Sequence, residues 1–419
     1  MISKDVDLAI IGGGPAGLSA AIAAKKSGIN NILIIERNEM LGGILNQCIH
    51  DGFGIEIFNE RLTGPEYAQR YIDKVKELGI EYTINSMVLD MSSDKILSVI
   101  SPKGLMKFNA KAVILAMGCR ERTRGNICIP GFRPAGIYTA GCAQNLINIR
   151  NYMIGKDIVI LGSGDIGLIM ARRLTLEGAK VHAIVEILPY SSGLPRNTRQ
   201  CLEDYGIPLY LKHTVISING LKRVESVTIA DVDDKFNPIE GTEKNIKCDT
   251  LLLSVGLIPE NELSLNANIG IDPITGGPIV NENLETSVEG IFACGNVLHV
   301  HDVVDYVTIE AEKAGISASN YIKGEKCYKS NIKVIAGDGV RYVIPHRISG
   351  RKDVCFSLRV NHPGRNKIIV LKDKDGRIIK EIYKIKVNPA EMIQFVVNKR
   401  DLNKIRELMI ELKNQTTPH

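Results

Sequence analysis

Residues 6–36 read VDLAIIGGGPAGLSAAIAAKKSGINNILIIE, and the order of residue types in this stretch decides the fold. An apolar run, residues 6–11, opens into Gly12, Gly14 and Gly17, passes through a helix-like segment that begins at Pro15 and Ala16, and returns as a second apolar run ending on Glu36. The pattern predicts strand, tight turn, helix and strand, a βαβ unit that holds a dinucleotide. Gly12 permits the turn, Gly14 lets the backbone approach a pyrophosphate, and Gly17 lets helix and strand pack closely. The helix N-terminus then faces the negative charge. Glu36 stands 24 positions after Gly12, where a carboxylate accepts hydrogen bonds from a ribose hydroxyl, and Arg37 follows it. A glycine loop alone is weak evidence; here strand, helix and acid agree.

The pattern then returns. Residues 156–161 form a second apolar run, Gly162, Gly164 and Gly167 a second GxGxxG, Asp165 and Ile166 open a second helix, and residues 181–185 lead to Glu186. Glu186 is again 24 positions after the first glycine of its motif, so one offset of 150 residues superposes the two units. Later pieces repeat as well: AKAVILAMG, with Ala116 and Gly118, closes the first half, and CDTLLLSVGLIPE, with Gly256, closes the second. Two copies of one nucleotide-binding unit are therefore expected.

At 419 residues the chain is long enough for two to four domains. Its 44% hydrophobic and 24% charged residues are those expected of a soluble globular protein. The few polar residues after Met1 leave no room for a secretory signal, and no apolar run reaches the ~18 residues of a membrane span. Nine cysteines, scattered and never spaced CxxC, point to reduced thiols in a cytoplasmic protein. From Lys326 onward 21 Lys and Arg stand against 9 Asp and Glu, whereas the preceding part carries 31 against 38. A basic tail without aromatic interleaving or a nucleic-acid motif argues for a solvated face or a surface for an acidic partner rather than for nucleic acid.

Between the repeats, the glycine-rich MLGGILNQCIHDGFGIEIF, with Gly42 and Gly43, reads as a loop past the bound cofactor, and Tyr67, Tyr71, Val75 and Leu78 share one helix face. Residues 119–155 read as a crossing between domains. The strand ending in Gly295 and Asn296 reads as a return to the first domain, where its polar turn meets a second end of the same cofactor; the helix after it carries Thr308. The tail reads as strands, a hairpin around Asp375 and Gly376, and a terminal helix marked by Leu402, Ile405, Leu408, Met409 and Leu412. The expected fold class is α/β, two Rossmann-like dinucleotide-binding domains plus a small β-rich C-terminal domain. The expected boundaries are 1–120 with 278–325, 121–277, and 326–419.

These residues resemble a family. GGGPAG with Glu36, Gly42 and Gly43, AMG at 116–118, the second GxGxxG, DTLLLSVGLIP and ACGN at 293–296 resemble the two-dinucleotide-domain flavoproteins of the pyridine nucleotide-disulfide oxidoreductase superfamily. The resemblance implies FAD on Gly12, Gly14, Pro15, Ala16, Gly17, Glu36, Arg37, Gly42, Gly43, Ala116, Gly118, Gly295, Asn296 and Thr308. It implies a nicotinamide nucleotide on Gly162, Gly164, Asp165, Ile166, Gly167, Glu186 and Gly256. GCRERTRGNICIPGFRPAGIYTAGCAQNLIN is similar to the alpha subunits of sarcosine oxidase, hydrogen cyanide synthase and dye-linked proline dehydrogenase. GGILNQCIHDGFG, LTGPEYA and GDGVRYVIPHRI are similar to the FAD-dependent oxidoreductases found beside glycerol-3-phosphate dehydrogenase in anaerobic glycerol-utilising bacteria. Two features depart from the superfamily: Asn296 stands where Asp is usual, and the redox CxxC or CxxxxC is absent, so a dithiol relay is not expected. Cys327 and Cys355 alone cannot hold an iron-sulfur cluster.

The leading expectation is an FAD-dependent oxidoreductase that exchanges hydride between NAD(H) and FAD and passes electrons to or from a partner subunit in an oligomer, with glycerol-3-phosphate dehydrogenase as the leading partner. Glu186 favours NAD over NADP because a carboxylate repels a 2'-phosphate; the plainer reading is a solvated strand end, and another adenine nucleotide in the second site is a further alternative. A self-contained NADH oxidase or thiol-dependent reductase would use Cys48, five positions after Gly43, through a sulfenic acid; a small buried group is the plainer reading. A non-enzymatic flavin-binding scaffold is the third reading. His299, His301, Asp302 and Asp305 offer proton transfer or tuning of a flavin, or mere loop polarity. Two histidines and an acid in one loop are too few to assign a metal, and Arg120, Glu121 and Arg122 are expected to pair among themselves or meet phosphate.

Overall fold

The computed structural model describes residues 2–325, 328–402 and 405–415. Cys327, weighed above as a cluster ligand, lies outside these residues. The elements that frame the sites are, in chain order, β1 (Ile2–Ile11), α1 (Pro15–Lys26), β2 (Ile32–Ile35), α2 (Gly64–Glu77), β3 (Gly104–Leu115), β4 (Asp157–Leu161), α3 (Asp165–Leu176), β5 (Lys180–Glu186), β6 (Thr250–Leu253), β7 (Ile291–Ala293), α4 (Val304–Ile322), β8 (Val340–Ile344), β9 (Val354–Val360) and β10 (Glu407–Asn414). The chain falls into two compact units, one of residues 1–46, 51–119 and 259–419, the other of residues 47–50 and 120–258.

The first unit is built on a seven-stranded sheet in which β2, β1 and β3 are neighbours and β7 pairs with β3. β1 runs parallel to β2 and along the whole of β3, Ile2 opposite Met106 and Ile11 opposite Leu115. Leu8, Ala9 and Ile10 are fully buried, which is why the strand reads as a continuous apolar run rather than an alternating one. β7 pairs Ile291 with Val113 and Ala293 with Leu115, so the chain returns beside the strand that ends at Leu115. α1 and α4 pack on each other through small residues: Ala20, Ala21 and Ala24 on α1 and Ala311, Ala314 and Ala318 on α4 are all fully buried. α2 buries Tyr67, Tyr71 and Val75 behind a Thr63–Glu66 capping box, as its spacing predicts.

The second unit repeats the plan with a five-stranded parallel sheet containing β6, β4 and β5 as neighbours. The C-terminal region of the first unit adds a five-stranded and a three-stranded sheet whose apolar faces share one core, including Val343, Phe356, Leu358, Leu371 and Leu408. Here one expectation fails. Residues 407–414 are strand β10, parallel to Ile332–Ala336 and antiparallel to Gly364–Asp373, not a terminal helix. Leu408, Ile410 and Leu412 alternate with Met409 and Glu411, so a period of two was present beneath the helical spacing, and Leu408 and Ile410 are the fully buried pair. Residues 403 and 404 of the expected helix lie outside the described residues. Among the described residues no helix is long and apolar enough to cross a membrane.

Candidate functional site

In the first βαβ unit, β1 delivers its chain into a left-handed turn at Gly12 (φ +108°) and α1 begins one turn later. A Cβ on Gly17 would stand 1.8 Å from the carbonyl oxygen of Gly12, so helix and strand approach as only glycine allows. Glu36, at the end of β2 and 4% exposed, folds back onto the loop: its Oε2 accepts the Gly13 N–H at 2.7 Å and its Oε1 the Asn38 N–H at 2.8 Å. The segment after it covers the loop. Gly42 donates its N–H to Gly13 O at 2.8 Å, and a Cβ on Gly43 would come within 2.9 Å of Gly14 Cα. Arg37 is exposed.

The second unit copies this arrangement and elaborates it. Glu186, also 4% exposed, accepts on Oε2 from Ser163 N (2.9 Å), Ser163 Oγ (2.5 Å) and Ser192 Oγ (2.9 Å), and on Oε1 from Leu188 N (3.0 Å). Ser192 also donates its N–H to Ser163 Oγ, while Asp165, the first residue of α3, accepts from Leu194 N (2.8 Å) and Asn197 Nδ2 (2.6 Å). A Cβ on Gly193 would meet Leu168 Cδ1 at 2.6 Å and Ser163 O at 2.9 Å. Gly193 is Gly43 shifted by the same 150 residues. The duplication therefore extends to the segment that covers each glycine loop.

Residues 6–317 match the pyridine nucleotide-disulphide oxidoreductase family. The chain belongs to this family. It is 27% identical to the thioredoxin reductase of Bacillus subtilis over 300 residues, which is 70% of this chain and 87% of that protein. Among solved structures, thioredoxin reductase from T. acidophilum superposes with a TM-score of 0.63 at 22% identity over 76% of this chain and 98% of the other. L-proline dehydrogenase from P. horikoshii superposes with a TM-score of 0.54 at 20% identity, over 78% of this chain and 56% of the other. The protein is thus an FAD- and NAD(P)-dependent oxidoreductase of this family with two Rossmann-like cradles.

Both cradles of the oxidoreductase have room for such groups. A Cβ on Gly14 would find nothing nearer than Gly43 Cα at 3.9 Å, and one on Gly118 nothing within 4 Å. In the second cradle a Cβ on Gly164 would find nothing nearer than Ser254 Oγ at 3.6 Å, and one on Gly256 only Arg122 Cδ at 3.9 Å. α1 carries no acidic residue in its first turn and Lys25 and Lys26 in its last, a charge order that favours an anion at its start. α3 starts on Asp165, whose charge its own loop has already engaged.

The remaining expected residues separate. In the first unit Ala116 follows β3 beside Gly12, whose added Cβ would stand 2.4 Å from the Ala116 carbonyl oxygen, and Gly295 sits against Ala16. Asn296 Oδ1 accepts from His301 N at 3.0 Å, and its Nδ2 reaches Cys119 Sγ at 3.6 Å. Thr308 is fully buried with its hydroxyl on Tyr67 OH at 2.7 Å, so it supports α4 from within and presents no surface to a ligand. Asp302 pairs with Arg359 of β9 at 3.1 Å, and Asp305 accepts the Gly54 N–H while burial raises its carboxyl above the usual range. These two acids are built into the fold.

Cys48 lies in the segment 47–50 that packs with the second unit, where Gln47 donates to Gly141 O and Gln144 Oε1. The Cys48 thiol is 5% exposed, 3.8 Å from Gln144 Oε1, and burial pushes its pKa up to about 12. Glu121 neither pairs with its arginine neighbours nor waits for phosphate: it accepts the N–H groups of Gly141 and Cys142 at the start of the helix Ala140–Asn148. Sequence reasoning missed Glu310, on α4, which accepts from Gly295 N at 2.7 Å and lies 2.9 Å from His299 Nε2. Its signal was the spacing to His299 across a turn and a helix, which no linear motif records.

Proposed function

We propose that this oxidoreductase exchanges hydride between NAD(H) and FAD and passes the electrons to or from a partner subunit, with glycerol-3-phosphate oxidation as the setting. The observation that carries the proposal is the doubled cradle: two glycine loops, each closed by an acid from the next strand and covered by a segment at the same offset. When bound, the flavin supplies hydride exchange at its ring, and no general acid or base is required for that half-reaction. The chain's part is to hold. Gly12, Gly14, Gly17 and the start of α1 would take the FAD pyrophosphate, Glu36 the adenosine ribose, and Gly43, Gly118, Gly295 and Asn296 the rest of the cofactor. Gly162, Gly164, Gly167 and Gly256 would take the nicotinamide nucleotide, and the carboxylate of Glu186 favours NAD over its 2'-phosphorylated form.

A partner is proposed because the sequence carries neither of the cysteine spacings from which a dithiol exit would be read. None of the nine cysteines is spaced CxxC or CxxxxC. The burial that raises Cys48 also disfavours the thiolate a single-cysteine reductase would need. The basic region from Lys326 is the surface we assign to that partner. The deciding measurement is an anaerobic titration of the purified flavoprotein with NADH. Bleaching of the flavin band is expected; an unbleached flavin would remove the hydride exchange. Co-purification from the native host tests the partner: glycerol 3-phosphate should bleach the flavin only in the presence of the co-purifying dehydrogenase.

A further inference from the structure

The turn that follows Asn296 gathers three side chains that the hydride exchange does not use. His299 Nε2 lies 2.9 Å from Glu310 Oε2, and His301 Nε2 lies 3.6 Å from the same oxygen. The three atoms lie within 4.8 Å of one another, and the imidazole centroids are 4.3 Å apart. The side chains of His299, His301 and Glu310 are 0%, 1% and 10% exposed. The cluster is buried but has an edge open to solvent on the Glu310 side.

The positions of the protons follow from the partners. Asn296 Oδ1 accepts the backbone N–H of His301; a backbone N–H only donates, so this atom is the amide oxygen. The same oxygen faces His301 Nδ1 at 3.3 Å, so the tautomer that fits has its proton on Nδ1 and a bare lone pair on Nε2. That Nε2 is buried with no hydrogen-bond partner and is turned towards a carboxylate oxygen. Two acceptors therefore face each other in the interior, which is costly without positive charge between them. A second proton on Nε2 would make an ion pair at 3.6 Å, longer than an N–H···O bond, whereas a cation bound between the two atoms would meet both lone pairs.

The far side of every group is also held. His299 Nδ1 lies 3.2 Å from Tyr342 OH, which accepts from Arg359 Nε at 3.2 Å, and Glu310 Oε1 accepts the Gly295 N–H. Such outer hydrogen bonds are what orients imidazole and carboxylate ligands around a metal.

We propose that His299 Nε2, His301 Nε2 and Glu310 Oε2 bind one divalent first-row cation, zinc in the first instance, with a fourth position left open. Zinc bonds of about 2.0–2.2 Å in a tetrahedron set neighbouring ligand atoms roughly 3.3 Å apart, and the spacings of 2.9 and 3.6 Å bracket that value. Two imidazoles with one carboxylate suit zinc or iron rather than calcium or magnesium, which take oxygen ligands. Gly295 and Asn296 hang on these ligands, so the cation would fix the turn assigned above to FAD.

The test uses the untagged full-length flavoprotein, stripped with a chelator and reloaded with zinc chloride alone. After desalting, mass spectrometry of the metal should find one zinc per chain, and X-ray absorption should show a nitrogen and oxygen shell with two imidazoles and no sulfur. Glu310→Gln and Tyr342→Phe should each weaken zinc at least tenfold, the second without touching a ligand atom, with circular dichroism as the check on folding. Zinc below a tenth of an equivalent, a sulfur shell, or retention unchanged in both variants would overturn the proposal.

Discussion

Glu36 and Glu186 occupy the same place in two copies of one unit, yet they are committed to different degrees. A carboxylate offers about four acceptor positions. Glu36 uses two of them, on Gly13 and Asn38; Glu186 receives four donors, three on one oxygen. The difference comes from two residues: where the first copy has Gly13 and Gly42, the second has Ser163 and Ser192, whose hydroxyls both donate to the acid. Duplication preserved the backbone, and the side chains at those two points decided how much of the acid remains for a ribose. The acid of the first cradle keeps acceptor positions to spare, whereas that of the second has them filled by its own loop.

The widest expected gap lies five residues beyond the covering glycine, where the first copy has Cys48 and the second Thr198. With its pKa pushed up to about 12, Cys48 should react with iodoacetamide at pH 8 about a thousandfold more slowly in the native protein than in urea, as peptide mapping would record. Equal rates would mean that segment 47–50 opens freely. Next come the close glycines. An added methyl on Gly17 meets an oxygen at 1.8 Å, but one on Gly167 meets its nearest atoms at 2.8 Å. Gly17→Ala should cost about 3 kcal/mol or more and lose flavin, and Gly167→Ala about 1–2 kcal/mol with flavin kept, measured by denaturant unfolding and absorbance.

The acids themselves give a smaller contrast. Glu186→Gln should destabilise by about 2–3 kcal/mol and Glu36→Gln by about 1–2 kcal/mol in urea, since an amide nitrogen replaces an oxygen that accepts more donors in the second loop. The reverse order would show that the hydrogen-bond difference carries no energy. Smallest is Ser192→Ala, which frees one position on Glu186 and should tighten NADH binding by a few fold, about 1 kcal/mol, in a fluorescence titration. Weaker binding would instead make Ser192 part of the nucleotide's own grip.

The glycine spacings, the terminal acids and the 150-residue offset were legible because each obeys a local rule. Strand, turn and helix follow from residue types within some thirty positions, and a buried parallel strand announces itself as an apolar run. The same locality misled at the C-terminus, where Leu408 and Leu412 satisfy helical spacing and strand alternation alike. Pairing of β10 with strands some forty and seventy residues away chose between them. Thr308 and Glu121 were recognisable as polar residues in the right regions, but their partners, Tyr67 and the amides of Gly141 and Cys142, come from distant chain.

By itself the sequence determined the doubled α/β plan and the residues that must be small where backbone meets backbone. Tertiary structure alone decided which acceptors are already occupied. It brought Ser192 onto Glu186, buried the Cys48 thiol, and placed Glu310 of α4 beside two histidines of the preceding turn. The reason is physical: propensity and close approach act between neighbours in the chain, while desolvation, protonation and ligand geometry depend on whatever the fold carries to the same few ångströms.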